Sequence, residues 1–121
     1  MLHDPKREAS IEEELFHAGL NPSQRQMLEI ADIFKQRGWC QHVTENSLGQ
    51  VCLFGAVDRT AERTFIGLEQ FARFVLLTEP HDSRAARYDL ISYSDDLVRY
   101  NDAPGQTMRA IVRDLQYCAL G

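Results

Sequence analysis

The chain has no apolar run that approaches a membrane span. Stretches such as Val51-Cys52-Leu53-Phe54 and Val75-Leu76-Leu77 fall far short of the roughly 20 residues that cross a bilayer as a helix, so no spanning helix is expected. An even set of cysteines is missing as well. Cys40, Cys52 and Cys118 make three, and the opening Met1-Leu2-His3-Asp4-Pro5-Lys6-Arg7-Glu8 does not read as a secretory leader, so reduced thiols in a cytoplasm are expected. Positive charge is in deficit: 13 Lys and Arg stand against 18 Asp and Glu, a formal −5. That balance argues against nucleic acid or an anionic membrane as the main partner, since both need a net basic surface. No repeat, low-complexity stretch or glycine-rich phosphate loop is present.

What is present suffices for one core. A chain of 121 residues buries about two-thirds of its unfolded surface, whereas two half-length domains would each need metal or disulfide staples. We therefore expect a helical extension over residues 1–20 and a single globular domain over 21–121. In the extension, Ser10-Ile11-Glu12-Glu13 has the spacing of a capping box and predicts a short acidic helix over 11–18, ended by Gly19.

Asn21-Pro22 then supplies an N-cap and a first-turn proline. Met27, Ile30, Ala31 and Phe34 recur at helical spacing up to Arg37, with Gly38 as the stop. Beyond Gly38 the runs 39–43 and 51–54 favour strand and flank a reversal containing Asn46 and Gly49, which predicts a β-hairpin. Residues 52–60 read equally as a strand entering a helix or as helix throughout. Thr64 is positioned to cap the most apolar helix, where Leu68, Phe71, Ala72 and Val75 form a stripe that Phe74 and Leu77 widen toward a central, buried element. Pro80 ends it, and 81–87 is a polar connection. Leu90, Ile91, Ser94, Leu97 and Val98 give a further helical face, with Asp95 and Arg99 spaced for an ion pair. Thr107 caps a last helix that turns Met108, Ile111, Val112, Leu115 and Ala119 inward. The fold class expected is α+β: a mostly helical domain of about five helices with one small hairpin.

Three patches, in this order, carry a resemblance: Gly38-Trp39-Cys40-Gln41, Val51-Cys52-Leu53-Phe54-Gly55-Ala56, and Tyr100-Asn101-Asp102-Ala103-Pro104-Gly105-Gln106-Thr107. Over roughly residues 26–119 the chain resembles an uncharacterised family of short bacterial and bacteriophage proteins, a domain of unknown function. Its pattern runs Gly-Trp-x-Gln, Cys-x-x-Gly-Ala and Trp-Asn-Asp-x-Pro-Gly-x-Thr before a terminal helix. Tyr100 stands where that pattern has Trp, and His42 where it has a small residue. The resemblance implies no activity, but it singles out these residues for explanation.

Strand alternation would place Cys40 and His42 on one face, and the hairpin could set His42 opposite Cys52, giving a thiol–imidazole pair or half a zinc site. The spacing matches no zinc pattern, a fourth ligand would have to come from His81 or Cys118, and burial as a small hydrophobe is the default for a thiol. Neither metal nor cofactor is therefore expected. A nucleophilic Cys52 would need His42 as its base and a carboxylate such as Asp58 to orient the ring; Cys52, His42 and Asp102 are the catalytic candidates. The 101–107 segment reads first as a helix–turn–helix corner. In a functional reading, free N–H groups at the start of the last helix bind an anion beside Arg109 or Arg113, or Asp95, Asp96 and Asp102 gather on a hard cation. Trp39, Gln41, Asn101, Asp102 and Arg109 form the candidate binding set, with Trp39 more simply a core plug. Arg59, Arg63, Arg73, Arg84 and Arg87 alternate with Glu62, Glu69, Glu79 and Asp82, the pattern of a mixed solvated surface.

The function expected is that of a non-enzymatic accessory or protein-interaction domain of a bacterium or mobile element, with a protein partner or self-association. One alternative is a small thiol- or zinc-dependent enzyme using Cys40, His42 and Cys52. The other is an acidic inhibitor of a nucleic-acid-binding protein. Without residues 1–25 the net charge is −3, so the exclusion of nucleic acid is milder for the family-like region.

Overall fold

Asn21 caps the first helix, α1 (Pro22–Arg37), as the sequence predicts. Its side chain accepts the Gln24 N–H at 2.8 Å while the Gln24 side chain accepts the Asn21 N–H at 2.9 Å, a reciprocal box that satisfies two donors the helix cannot satisfy itself. Gly38, at φ 91°, ends the helix with its N–H on the Phe34 carbonyl. The structure is a computed structural model that describes residues 18–62, 64–77 and 90–121, with backbone alone at 77 and 90–93. Four more helices follow: α2 (Leu53–Val57), α3 (Ile66–Leu77), α4 (Leu90–Asp102) and α5 (Met108–Leu120). The helix predicted over 11–18, apart from Ala18, and the connection 81–87 lie outside the described residues.

α1 is the spine. It packs on α5, α3 and α2, and the Gln24 amide donates to the Ala119 carbonyl at 2.9 Å, so the start of α1 meets the end of α5. The predicted stripes are the core: Met27, Ile30 and Phe34 of α1, Leu68 and Phe71 of α3, and Ile111 and Leu115 of α5 are fully buried. Each contributes about 1.5–3 kcal/mol of hydrophobic stabilisation. Thr107 caps α5 by accepting the Ala110 N–H, again as predicted.

The start of α3 is built differently from the expectation. The helix begins at Ile66, and the Thr64 hydroxyl donates to Glu62 instead of capping. The cap comes from α1: fully buried Gln26 accepts the N–H groups of Gly67 at 2.6 Å and Leu68 at 3.2 Å, while its amide donates to the Thr64 carbonyl at 2.7 Å. Gly67 lets the helices approach this closely, since a Cβ there would stand 2.7 Å from the Cβ of Gln26 and 2.8 Å from the Ser23 carbonyl oxygen. Gln26→Leu keeps most of the volume but orphans two buried donors, and should cost about 2–3 kcal/mol in urea unfolding. A loss under 0.5 kcal/mol would show that the cap is idle.

The predicted hairpin does not form, and the domain is mostly helical. Between α1 and α2 the described residues make only isolated bridges, Trp39 with Val51 and Glu45 with Val51. Two local features prevent a ladder. His42 sits at φ 73°, a left-handed conformation that breaks an extended strand. The Asn46 side chain accepts the N–H groups of Leu48 and Gln50, both at 3.0 Å, offering the backbone a turn in place of cross-strand bonds. The Cys52 N–H then pairs with the Thr44 carbonyl, so His42 is not set opposite Cys52. Of the two readings of 52–60, the helical one describes 53–57.

In α4, Leu97 is buried as predicted, but Val98 faces outward at 45% exposure. Arg99 pairs with Asp96 at 3.4 Å in place of Asp95.

Candidate functional site

The three sequence patches meet at one side chain. Asn101, near the end of α4, is 3% exposed, and its amide uses all four of its hydrogen-bonding positions. Oδ1 accepts the Trp39 indole N–H at 2.9 Å and the Leu53 N–H at 3.2 Å; Nδ2 donates to the Cys40 carbonyl at 3.2 Å and to Asp102 Oδ1 at 2.8 Å. One residue of α4 thus caps α2 and anchors the loop over 39–52. Gln41 adds to the junction by donating to the carbonyls of Asn101 and Ala103. Trp39 is half-buried against the core, and its indole N–H is spent inside the fold.

Asp102 holds the turn at His42. Its Oδ1 accepts the His42 N–H at 2.9 Å, and its Oδ2 lies 3.7 Å from the imidazole Nδ1. Burial alone would raise the Asp102 carboxyl, but the hydrogen bonds from the His42 N–H and the Asn101 amide, with the nearby imidazole, outweigh it and hold the group below the usual carboxylate range. The positive φ of His42 is a conformation that glycine adopts without strain.

Beside this junction opens a cleft of about 210 Å³ lined by His42, Val43, Thr44, Cys52, Phe54, Val98, Asn101 and Asp102. The three catalytic candidates Cys52, His42 and Asp102 therefore share one cleft, assembled by a loop and not by a hairpin. The His42 side chain is 73% exposed and that of Asp102 20%. The walls were not among the predicted residues: Val43 is 50% exposed, and the Phe54 ring lies 6.4 Å from that of Phe65. Adjacency to Leu97 gave no signal for Val98, because neighbouring pairs such as Ile30–Ala31 and Ile111–Val112 are buried together.

The other candidates lie elsewhere. The buried Cys40 sulfur is within hydrogen-bond reach of the Gln50 carbonyl at 3.3 Å and the Val43 carbonyl at 3.6 Å. Burial pushes this thiol up, and the neighbouring Cys52 adds to the shift, which suits a structural thiol. Cys118 is half-buried on α5, also raised by burial. Asp58 follows α2 and is exposed. Arg109 lines a separate groove with Arg113 and Lys35. Among the described residues no group of three His, Cys, Asp or Glu side chains could hold a metal ion; His81 lies outside them. Tyr100 stacks edge-on against Phe71 with ring centres 5.6 Å apart and donates its hydroxyl to Asp114 at 2.6 Å. Burial and that carboxylate push the phenol far up, so it acts as a fixed donor tying α4 to α5, a role an indole N–H can also fill.

Comparison with curated proteins and with solved structures finds no match to either. Residues 22–119, from the cap of α1 to the last turn of α5 and including the whole Asn101 junction, match the model of DUF6197, a family of unknown function, and the chain belongs to that family.

Proposed function

We propose that the protein is a protein-interaction domain whose docking site is the cleft beside Asn101, and that it takes an apolar side chain of a partner protein with a basic residue next to it. The observation that carries this reading is the make-up of the cleft: open apolar walls from Val43, Phe54 and Val98, with the carboxylate of Asp102 at the rim. A volume of about 210 Å³ is below the roughly 300–1,000 Å³ of typical small-molecule pockets and suits one side chain better than a nucleotide or a cofactor. The charge of the site complements a cation, as does the net −5 of the chain. The polar motif residues Trp39, Gln41 and Asn101 are occupied in holding the loop, which leaves recognition to the walls.

A direct test titrates isotope-labelled protein with N-acetyl-leucyl-arginine amide. Shifts should concentrate at Val43, Val98 and the Asn101 side-chain amide, and the leucyl-glutamate counterpart should bind about threefold more weakly. Shifts scattered elsewhere, or none, would refute the proposal.

One observation favours a second reading, thiol chemistry at Cys52: the thiol shares the cleft with His42, and Asp102 lies on the Nδ1 side of the imidazole, where an orienting carboxylate belongs. Alkylation by iodoacetamide separates the two. A thiol enzyme requires a Cys52 midpoint below about pH 7 and a tenfold slowing in His42→Ala, whereas an ordinary thiol midpoint near pH 8.5 leaves the interaction reading in place.

A further inference from the structure

A second surface carries an inference that does not depend on the cleft. Between α1 and α5 runs a groove of about 790 Å³ lined by Lys35, Arg109 and Arg113, with Met108 and Val112 as its apolar part. Elsewhere on the domain Arg59, Arg73 and Arg99 each meet a carboxylate, from Glu45, Glu69 and Asp96. In the groove Lys35 and Arg109 have no carboxylate partner among the described residues, and Arg113 has only its neighbour Asp114, at 3.7 Å. Two cations without a carboxylate partner among the described residues, and a third with only a long contact to its sequence neighbour, are thus gathered on one face of an acidic chain.

We propose that the chain's own acidic segment, residues 8–16, docks in this groove. Glu12-Glu13-Glu14 is the densest carboxylate run of the sequence, with Glu8 before it and Ile11, Leu15 and Phe16 interleaved. That composition complements three cations above an apolar floor. The segment lies outside the described residues and ahead of the family-matched region 22–119.

The reach fits. Lys35 lies 14 positions beyond Asn21, or about 21 Å along α1, while the nine residues from Glu12 to Asn21 span up to about 30 Å when extended. Docking therefore requires the extended form in place of the helix that the capping-box spacing predicts. A turn at Ala18 and Gly19, with Gly19 at φ 78°, lies where the segment joins the domain. Each exposed ion pair is weak and screened by salt, but a short tether supplies an effective concentration of about millimolar.

Lys6 and Lys35 are the lysines of the chain, which makes zero-length carbodiimide cross-linking of the full-length protein a clean test. At low salt, mass spectrometry should find Lys35 joined to Glu12, Glu13 or Glu14. The yield should fall at least fivefold in 1 M NaCl and in the Arg109→Glu/Arg113→Glu variant, whose fold is checked by circular dichroism. Adding Glu12→Lys, Glu13→Lys and Glu14→Lys to that variant should create new links from positions 12–14 to positions 109 and 113. The proposal is overturned if Lys35 joins no carboxylate of the segment, if the arginine variant leaves the yield unchanged, or if mixed light and heavy protein shows the link to be solely between two copies.

Discussion

Asn101→Leu should lower the unfolding free energy by about 4–5 kcal/mol, a large share of the 5–15 kcal/mol available to a domain of this kind. The reason is the number of groups one amide serves. Leucine fits the space but leaves the Trp39 indole N–H, the Leu53 N–H and the Cys40 carbonyl without partners, and each orphaned buried group costs about 1–3 kcal/mol. Asn101→Asp is the sharper variant. It retains acceptors for Trp39 and Leu53, loses the donor to Cys40, and places a second carboxylate against Asp102. Its carboxyl would therefore titrate above the ordinary range in the folded state, so the variant should be most stable at low pH and lose stability as pH rises through that raised value. Urea titrations of both variants across pH 4 to 8 measure this. A loss under 1 kcal/mol for the leucine variant would mean that water or a shifted loop satisfies the same groups.

Gly55→Ala should cost about 3 kcal/mol or more. A Cβ at this position would stand 2.2 Å from the Thr44 carbonyl oxygen and 3.1 Å from the Val51 Cβ. The oxygen cannot retreat without breaking its bond from the Cys52 N–H, so the loop wall of the cleft must move. The same variant should therefore weaken binding of the leucyl-arginine probe. Gly105→Ala is the control: at φ 82° with no atom within 4 Å, it should lose only about 1–2 kcal/mol of backbone strain. Equal losses at the two glycines would remove the close approach at Gly55 as an explanation.

These two positions mark what the sequence made legible and what it did not. The caps of α1 and α5 are local, three residues from cap to donor, so Asn21 and Thr107 could be read directly, and the apolar spacing of α1, α3 and α5 named most of the core. Gln26 could not be read in this way. In sequence it is one polar residue in a helical repeat, and its partners lie 41 and 42 positions away. Asn101 has a plausible local role at a helix end, which hides three long-range bonds. No hairpin forms over 39–54 because the Asn46 side chain takes the N–H groups of Leu48 and Gln50 and the backbone at His42 is left-handed, and strand propensity reports neither. Cys52, His42 and Asp102 nonetheless came to line one cleft. Their grouping followed from the closeness of two loop segments and the reach of α4, and did not need the register first invoked.

The exchange of caps between helices has a consequence for the order of folding. α2 has five residues, too few to persist alone, and its first donor is held by an amide 48 positions later in the chain. α3 likewise depends on a residue of α1 for its first turn. Each capping bond therefore becomes available only after a loop of 40 or more residues has closed, and the entropy of that closure must be met by the apolar stripes of α1, α3 and α5 before the polar junction can contribute. The cleft wall is thus among the last parts of the chain to be organised, and it inherits its shape from a core that assembles without it.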